Sequence, residues 1–222
     1  MFSLISIVIF MMGIYLMNKM FIGFQPGKKR INSDVGRFRA NAQKWKSELV
    51  AWNEEEFELF SLSQKNSVTR RGFGKSFEGV IQSIYHEPML YYYFKEYPAA
   101  KKNAIIFAQS ARYEIVYRIR AKSTQIFVNG DFLGTLNPDG SLVRDNGRVV
   151  IGHIGRKDPY RKEIYLNERL LGSVVLPEET PSIPPRAFDL DEKMNENERM
   201  IFMVLGVYEV ISYLTQPKKS RS

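Results

Sequence analysis

Residues that commonly carry chemistry are scarce in this chain of 222 residues. It has no cysteine, and its two histidines, His86 and His153, are far apart in the sequence. Zinc sites draw on closely spaced Cys and His ligands, and nucleophilic catalysis by a thiol needs a cysteine. The composition therefore excludes thiolate metal sites, disulfides and a cysteine nucleophile, and it predicts no metal and no cofactor. A G-x-S-x-G nucleophile motif is also missing.

Charged clusters offer a few weaker candidates for a site. The carboxylates Glu54–Glu56 could be joined by Asp189 and Asp191 as an acid pair, but carboxylates in a charged run are usually solvated. The basic run RRGFGK at residues 70–75 could hold an anion, although such a run is more typical of a hairpin edge that resists aggregation. Catalysis is therefore not expected.

Basic residues are concentrated near the N-terminus. Residues 18–48 carry eight Lys or Arg and two acids, a net charge of +6 within a chain of +8. Cations beside a lipid surface attract anionic headgroups by about 1 kcal/mol each. We expect Lys19, Lys28, Lys29 and Arg30 to make such contacts, the alternative being that they only hold topology and solubility. Nucleic acid is not expected as a partner, because the charge follows an apolar segment.

That apolar segment opens the chain. Residues 1–17 have no charged side chain, and the apolar pattern resumes to residue 24. This length predicts a transmembrane anchor over residues 1–24. The basic flank predicts a single-pass protein with its N-terminus outside and its main domain in the cytoplasm. A cleaved signal peptide would need a basic start and a small-residue cleavage site, and a buried core helix is the third alternative.

Helical periodicity follows in residues 25–56, the basic juxtamembrane segment and helical neck. Val35, Phe38, Ala42 and Leu49 recur at spacings of three, four and seven, which places them on one face. Ser33 or Asp34 could cap the start of this helix.

Alternation with a period of two dominates residues 57–216. RYEIVYRIR at 112–120 is the clearest strand, and Asn-Gly or Asp-Gly turns separate several similar runs. The segment IFVNGDFLGTL at 126–136 recurs as IYLNERLLGSV at 164–174. The glycine after each turn suggests a bend or bulge that helps a sheet to curl. This pattern predicts an antiparallel, barrel-like β-domain.

The end of the chain is strongly apolar from Met200 to Leu214. Asn195 and Glu198 have the spacing of a capping box, which predicts a helix start. A helix that is apolar on nearly all sides is either buried in protein or a second membrane span, and we favour burial because of its length and of Glu209. Glu209 is then expected to form a polar site inside the barrel, and residues 217–222 to form a basic tail.

Ile126–Leu136, Ile164–Val175 and Met200–Leu214 together resemble the tubby C-terminal-like superfamily, which includes LURP-one-related proteins and phospholipid scramblases. The resemblance implies a closed antiparallel barrel of about twelve strands around the C-terminal helix. It also implies phosphoinositide binding or a role at membranes without clear catalysis. The chain departs from the family in its N-terminal apolar segment, its lack of cysteines for palmitoylation and its lack of an acidic, calcium-binding loop.

Two functional hypotheses follow. In the first, a non-catalytic, membrane-anchored β-domain binds anionic lipid headgroups or a protein partner. In the second, a membrane-bound enzyme or carrier holds an apolar ligand inside the barrel, which predicts a sizeable cavity beside Glu209.

Overall fold

Twelve strands and four helices make up the part of the chain that the computed structural model describes. That part comprises residues 2–23, 26–51, 54–72, 74–98, 102–144, 147–156, 158–177, 186–191 and 193–216. The helices are α1 (Phe2–Gly23), α2 (Lys28–Ala42), α3 (Glu54–Phe57) and α4 (Glu196–Thr215).

The strands form one sheet in chain order, and each pairs antiparallel with the next. They are β1 (Phe60–Gly72), β2 (Gly74–Ser83), β3 (Pro88–Glu96), β4 (Asn103–Gln109), β5 (Glu114–Arg120), β6 (Ser123–Val128), β7 (Asp131–Leu136), β8 (Ser141–Arg144), β9 (Val149–Gly155), β10 (Arg161–Leu166), β11 (Arg169–Val175) and β12 (Phe188–Leu190).

The sheet curls into a nearly closed barrel. Its two ends meet at a bridge between Ser61 and Arg186, next to a hydrogen bond of 2.7 Å from the Ala187 amide to the Phe60 carbonyl. The prediction of a mainly β, antiparallel barrel with a C-terminal helix is confirmed. Alternation explains it, because the inward residues of β5, such as Ile115, Tyr117 and Ile119, are buried.

The C-terminal helix α4 occupies the interior of the barrel. It begins with the predicted capping box, in which the Asn195 side chain accepts from the Glu198 amide and the Glu198 carboxylate accepts from the Asn195 amide. Tyr117 on β5 donates its hydroxyl to the Val204 carbonyl over 2.6 Å. Residues on several sides of the helix are fully buried, among them Phe202, Val204, Leu205, Val207, Val210 and Ile211. A helix that is apolar all round is thereby shielded from water.

The repeated segments are two hairpins with the same irregularity. In β6–β7, Ile126 is opposite Gly134, and in β10–β11, Ile164 is opposite Gly172. The register shifts immediately after each of these pairs. Each glycine therefore lies beside a β-bulge, which increases local twist and helps the sheet to close.

Helix α2 lies on the outside of the barrel instead of forming a separate neck. It begins at Lys28 after Gly27, five residues before the predicted cap at Ser33 or Asp34. Asp34 lies inside the helix because its carboxylate is engaged by residues of the barrel wall. The apolar face predicted for this segment packs against β3, β4 and β5.

The prediction of a single-pass membrane protein is wrong. Within the part of the chain that the structure describes, no helix has the length and hydropathy needed to cross a membrane. The predicted topology, with the N-terminus outside and the main domain in the cytoplasm, depended on the anchor over residues 1–24 and is therefore wrong as well. The predicted basic tail at 217–222 and the side chain of Lys19 lie outside the described residues.

Candidate functional site

The packing of α2 against the barrel fixes the position of the cations on this helix. Ile31, Val35, Phe38 and Ala42 are spaced along one face of the helix, and all four are buried against the sheet. The Phe38 ring stacks on Tyr93 with a centroid distance of 4.0 Å. This packing leaves the opposite face of α2 exposed, and it brings the first turn of the helix to the end of the barrel where β4 begins and β5 ends.

A buried carboxylate fixes the same helix electrostatically. Asp34 accepts hydrogen bonds from the Lys95 ammonium and the Tyr97 hydroxyl, each over 2.6 Å, and from Arg37 over 3.1 Å. Burial alone would raise the pKa of Asp34, but the hydrogen bonds from Lys95 and Tyr97 outweigh it and hold the pKa below its ordinary value. Because its charge is shared among these partners, Asp34 does little to neutralise the cations beyond them.

Seven cations from two parts of the chain meet at this end of the barrel, and we call them the basic face. Three come from the first turn of α2 and four from β4–β6. They are Lys28, Lys29, Arg30, Lys102, Arg118, Arg120 and Lys122, and all except Arg118 are exposed. Among the described residues, none of the seven forms an ion pair with a carboxylate.

Backbone and side-chain contacts connect the two halves of the basic face. Arg118 donates to the Asn32 side chain on α2 over 3.0 Å, and the Ala121 amide donates to the Lys102 carbonyl over 2.7 Å. Burial and the neighbouring Asp34 raise the pKa of the Tyr97 hydroxyl. The positive charge of Arg30 acts in the opposite direction, which shows that Arg30 lies near Tyr97. These contacts place the start of α2 beside the strand ends that carry the other cations.

Arg118 is the partly buried member of the basic face. Its guanidinium lies 4.7 Å from the centroid of the Phe127 ring, and its buried Nε atom has no hydrogen-bond partner among the described residues. Burial lowers the pKa of Arg118, and the like charge of Arg120 lowers it further. An anion bound beside Arg118 and Arg120 would relieve the repulsion between their like charges.

Glu209 lies at another end of the fold, on α4. Its side chain is 11% exposed, and its carboxylate lies 3.2 Å from the Arg156 guanidinium. Burial raises the pKa of Glu209, whereas Arg156 and Lys162 act in the opposite direction. A surface cavity of about 220 Å³ adjoins it, lined also by Leu176 and Tyr213. Glu209 is thus half of an ion pair at the mouth of the barrel, next to a small cavity.

The remaining sequence candidates do not come together as a site. His86 lies exposed in the turn between β2 and β3, and His153 is exposed on β9. Asp189 pairs with Arg161 at 2.6 Å on the surface, while the side chains of Glu54 and Glu55 lie outside the described residues. In the part of the chain that the structure describes, no group of three His or acidic residues is placed to bind a metal ion.

Comparison with known proteins gives no family for this chain. No family model, curated protein or solved structure matches it. The function is therefore argued from the chemistry of the basic face.

Sequence reasoning found only half of the basic face. Lys28, Lys29 and Arg30 were predicted to bind anions, and the structure places them together in the first turn of α2. Lys102, Arg118, Arg120 and Lys122 were missed as part of that site. A signal was present, because from residue 97 to residue 130 the sequence contains one acid, Glu114, and that acid binds Arg39 near the other end of α2.

The basic face has the donors that recognise phosphate. Guanidinium groups donate in a planar fork, and ammonium groups supply a compact point charge. The first turn of α2 adds the positive end of the helix dipole, and no acid among its first residues neutralises it. The arrangement can hold a multiply charged anion without supplying a nucleophile or a general base.

Proposed function

We propose that this protein is a non-catalytic β-barrel domain that binds the phosphate groups of anionic lipid headgroups on its basic face. The observation that carries the proposal is the grouping of seven cations from α2 and from β4–β6 and their turns, none of which forms an ion pair with a carboxylate among the described residues. Holding like charges together without an acid is unfavourable, and a bound phosphate offsets that repulsion.

A tubby-like ancestry is part of the same proposal. Twelve antiparallel strands around a buried C-terminal helix are the architecture that the resemblance implies, and this agreement supports it. Members of that superfamily mostly bind phosphoinositides or act at membranes. We do not extend the proposal to lipid scrambling, because the sequence lacks the acidic calcium-binding loop.

A protein partner with clustered acidic or phosphorylated side chains is the second candidate for the basic face, since it offers similar anions. The alternative of an apolar ligand inside the barrel is less favoured by the packing. The residues of α4 that face the sheet are fully buried there, and Glu209 is paired with Arg156 instead of lining a large internal cavity.

Vesicle co-sedimentation tests the lipid proposal. Full-length protein is mixed with phosphatidylcholine vesicles that do or do not contain phosphatidylserine or a phosphorylated inositol lipid. A variant with Lys28, Lys29 and Arg30 changed to Gln should bind anionic vesicles about a hundred-fold more weakly, at about 1 kcal/mol per cation. Raising the salt concentration from about 0.1 M to about 1 M should weaken the wild type in the same direction.

A matched control removes the same charge elsewhere. Lys44, Lys46 and Arg148 are also exposed, and the first two follow α2 at its opposite end, about 22 Å from its start. Changing these three to Gln should leave vesicle binding nearly unchanged. Both variants keep α1, so any uptake of its apolar side chains by the vesicle is common to them. Equal losses in the two variants, or none in either, would refute a localised headgroup site.

A further inference from the structure

The first strand leaves one edge of the sheet open. On the side of β1 that faces away from β2, the described residues provide a single strand contact, the bridge from Ser61 to Arg186. Beyond that bridge, β1 continues to Gly72 paired only with β2. In the part of the chain that the structure describes, no other segment pairs with the backbone donors and acceptors of this outer edge, and such an edge can accept another extended chain.

Exposure shows that this edge stands clear of the barrel. The six consecutive residues 65–70 are all exposed, so side chains on both faces of the strand meet solvent there. The pairing of β1 with β2 is irregular between Lys65 and Val68, where Asn66 has a positive φ of 54°. It is regular from Val68 to Gly72, which leaves five residues of uniform strand for a new neighbour.

The charge of the hairpin indicates what kind of chain fits. Residues 60–77 contain Lys65, Arg70, Arg71 and Lys75 and no acid. Lys65, Arg70 and Lys75 are exposed, and none of them forms an ion pair among the described residues. Positive charge prevents two copies of this edge from pairing with each other, and it attracts an extended segment that carries acidic side chains.

We propose that the edge formed by Val68–Gly72 binds an extended acidic segment of another protein by β-strand addition. Main-chain hydrogen bonds to this edge supply affinity independent of side chains, and the cations select acidic residues on the incoming strand. Val68, which is 43% exposed, offers an apolar contact for a β-branched side chain between those acids. This binding surface is separate from the basic face and does not depend on it.

Fluorescence anisotropy with a labelled peptide of alternating Glu and Val tests the proposal on the full-length protein. The wild type should bind this peptide, and a peptide of alternating Lys and Val should not bind. Methylation of every backbone nitrogen in the Glu-Val peptide should abolish binding, because it removes the main-chain donors of both peptide edges while it keeps the charge. Equal binding of the methylated peptide would overturn strand addition.

Variants locate the bound peptide. Changing Lys65, Arg70 and Lys75 to Glu should weaken binding about tenfold or more, while Lys44, Lys46 and Arg148 changed to Glu should not. The Gln variant of Lys28, Lys29 and Arg30 should bind the peptide as the wild type does, which separates this edge from the basic face.

Amide hydrogen exchange distinguishes strand addition from simple charge attraction, because only main-chain pairing protects the amides of β1. Adding the Glu-Val peptide should slow exchange in the β1 residues from Val68 to Gly72 and leave β5 unchanged. Protection confined to the basic face, or self-association of the protein without the peptide, contradicts the proposal.

Discussion

Asp34 is the residue that couples α2 to the barrel wall. It is the acid to which Lys95, Tyr97 and Arg37 all donate, and it lies between the apolar contacts of the helix. We expect Asp34→Asn to lower the free energy of unfolding by about 1–2 kcal/mol. The cost stays this small because the partners of Asp34 keep contact with water, which screens the interactions. Arg37→Gln, which removes the most exposed partner, should cost less than about 0.5 kcal/mol. Urea denaturation measures both, and equal costs would contradict the role of Asp34.

The stability difference between the wild type and Asp34→Asn should depend on pH. The pKa of Asp34 is lower in the folded protein than its ordinary value of 3.8. Its contribution is therefore complete above pH 3.8 and is lost as the pH falls through the folded pKa. The stability difference between the wild type and Asp34→Asn should narrow on acidification through this range. A difference that widens instead would show that the carboxylate is not stabilised by its neighbours.

Glu209 should behave in the opposite way. Burial raises its pKa above the ordinary 4.5, so the folded protein holds this proton more tightly than the unfolded chain does. Its ionisation therefore lowers the stability of the wild type as the pH rises above 4.5 and through the folded pKa. Glu209→Gln should lack this decrease, so its stability relative to the wild type should increase over that interval. Denaturation at a series of pH values tests this, and parallel curves would contradict it.

At the scale of the elements, the repeated hairpins depend on their glycines. Gly172 has a φ of +149°, and a Cβ there would lie 2.5 Å from the Asp189 carbonyl oxygen and 3.0 Å from the Leu190 Cα. Because the obstacle is backbone of β12, we expect Gly172→Ala to destabilise the protein by about 3 kcal/mol.

Gly36 provides the matched control for this substitution. It lies exposed within α2, and a Cβ at that position would have nothing within 4 Å. Gly36→Ala should stabilise the protein by about 0.5–1 kcal/mol through helix propensity. Chemical denaturation of the two variants should therefore give changes of opposite sign. A neutral Gly172→Ala would show that the bulge tolerates a side chain.

Which elements could be predicted from the sequence depends on how far apart their determinants lie. The strands follow from alternation and turn residues, and α4 follows from its capping box and apolar surface, all of which are local signals. The packing of α2 against the barrel has no such local signal, because it depends on residues that are far apart in the sequence. A hint lay in the continuous apolar runs at residues 89–94 and 103–109, since strands that are buried on both faces lose their alternation. The outer faces of those strands are covered by α2.

The same limit applies to the basic face. Arg118 and Asn32 are 86 residues apart in sequence, and their contact depends on the register of β5 and on the seat of α2. The cations of the helix were evident as a charge cluster, whereas those of the strands were spread along an alternating pattern. The apolar N-terminal segment led to the prediction of a membrane anchor, whereas no helix among the described residues meets the length and hydropathy that a membrane span needs.

At the scale of the whole molecule, the barrel has an interior filled by α4, and the function that we propose lies on its outer surface. The helix α4 takes the space that a carrier would offer to a ligand, and a hydroxyl of β5 binds its backbone. In the proposed function, the packed interior provides rigidity and the basic face formed by α2 and β4–β6 binds the anion. We propose that the cations of the helix and those of the strands hold one anion together.

Titration of the full-length protein with a soluble inositol polyphosphate tests that claim most directly. Three variants are compared with the wild type, each with three cations changed to Gln. The first changes Lys28, Lys29 and Arg30, and the second changes Arg118, Arg120 and Lys122. The matched control changes Lys44, Lys46 and Arg148. The account predicts that each of the two weakens binding about tenfold or more at low salt, while the control stays within about threefold of the wild type. Binding that is equally strong in all four proteins, or that is lost equally in the control, would contradict it.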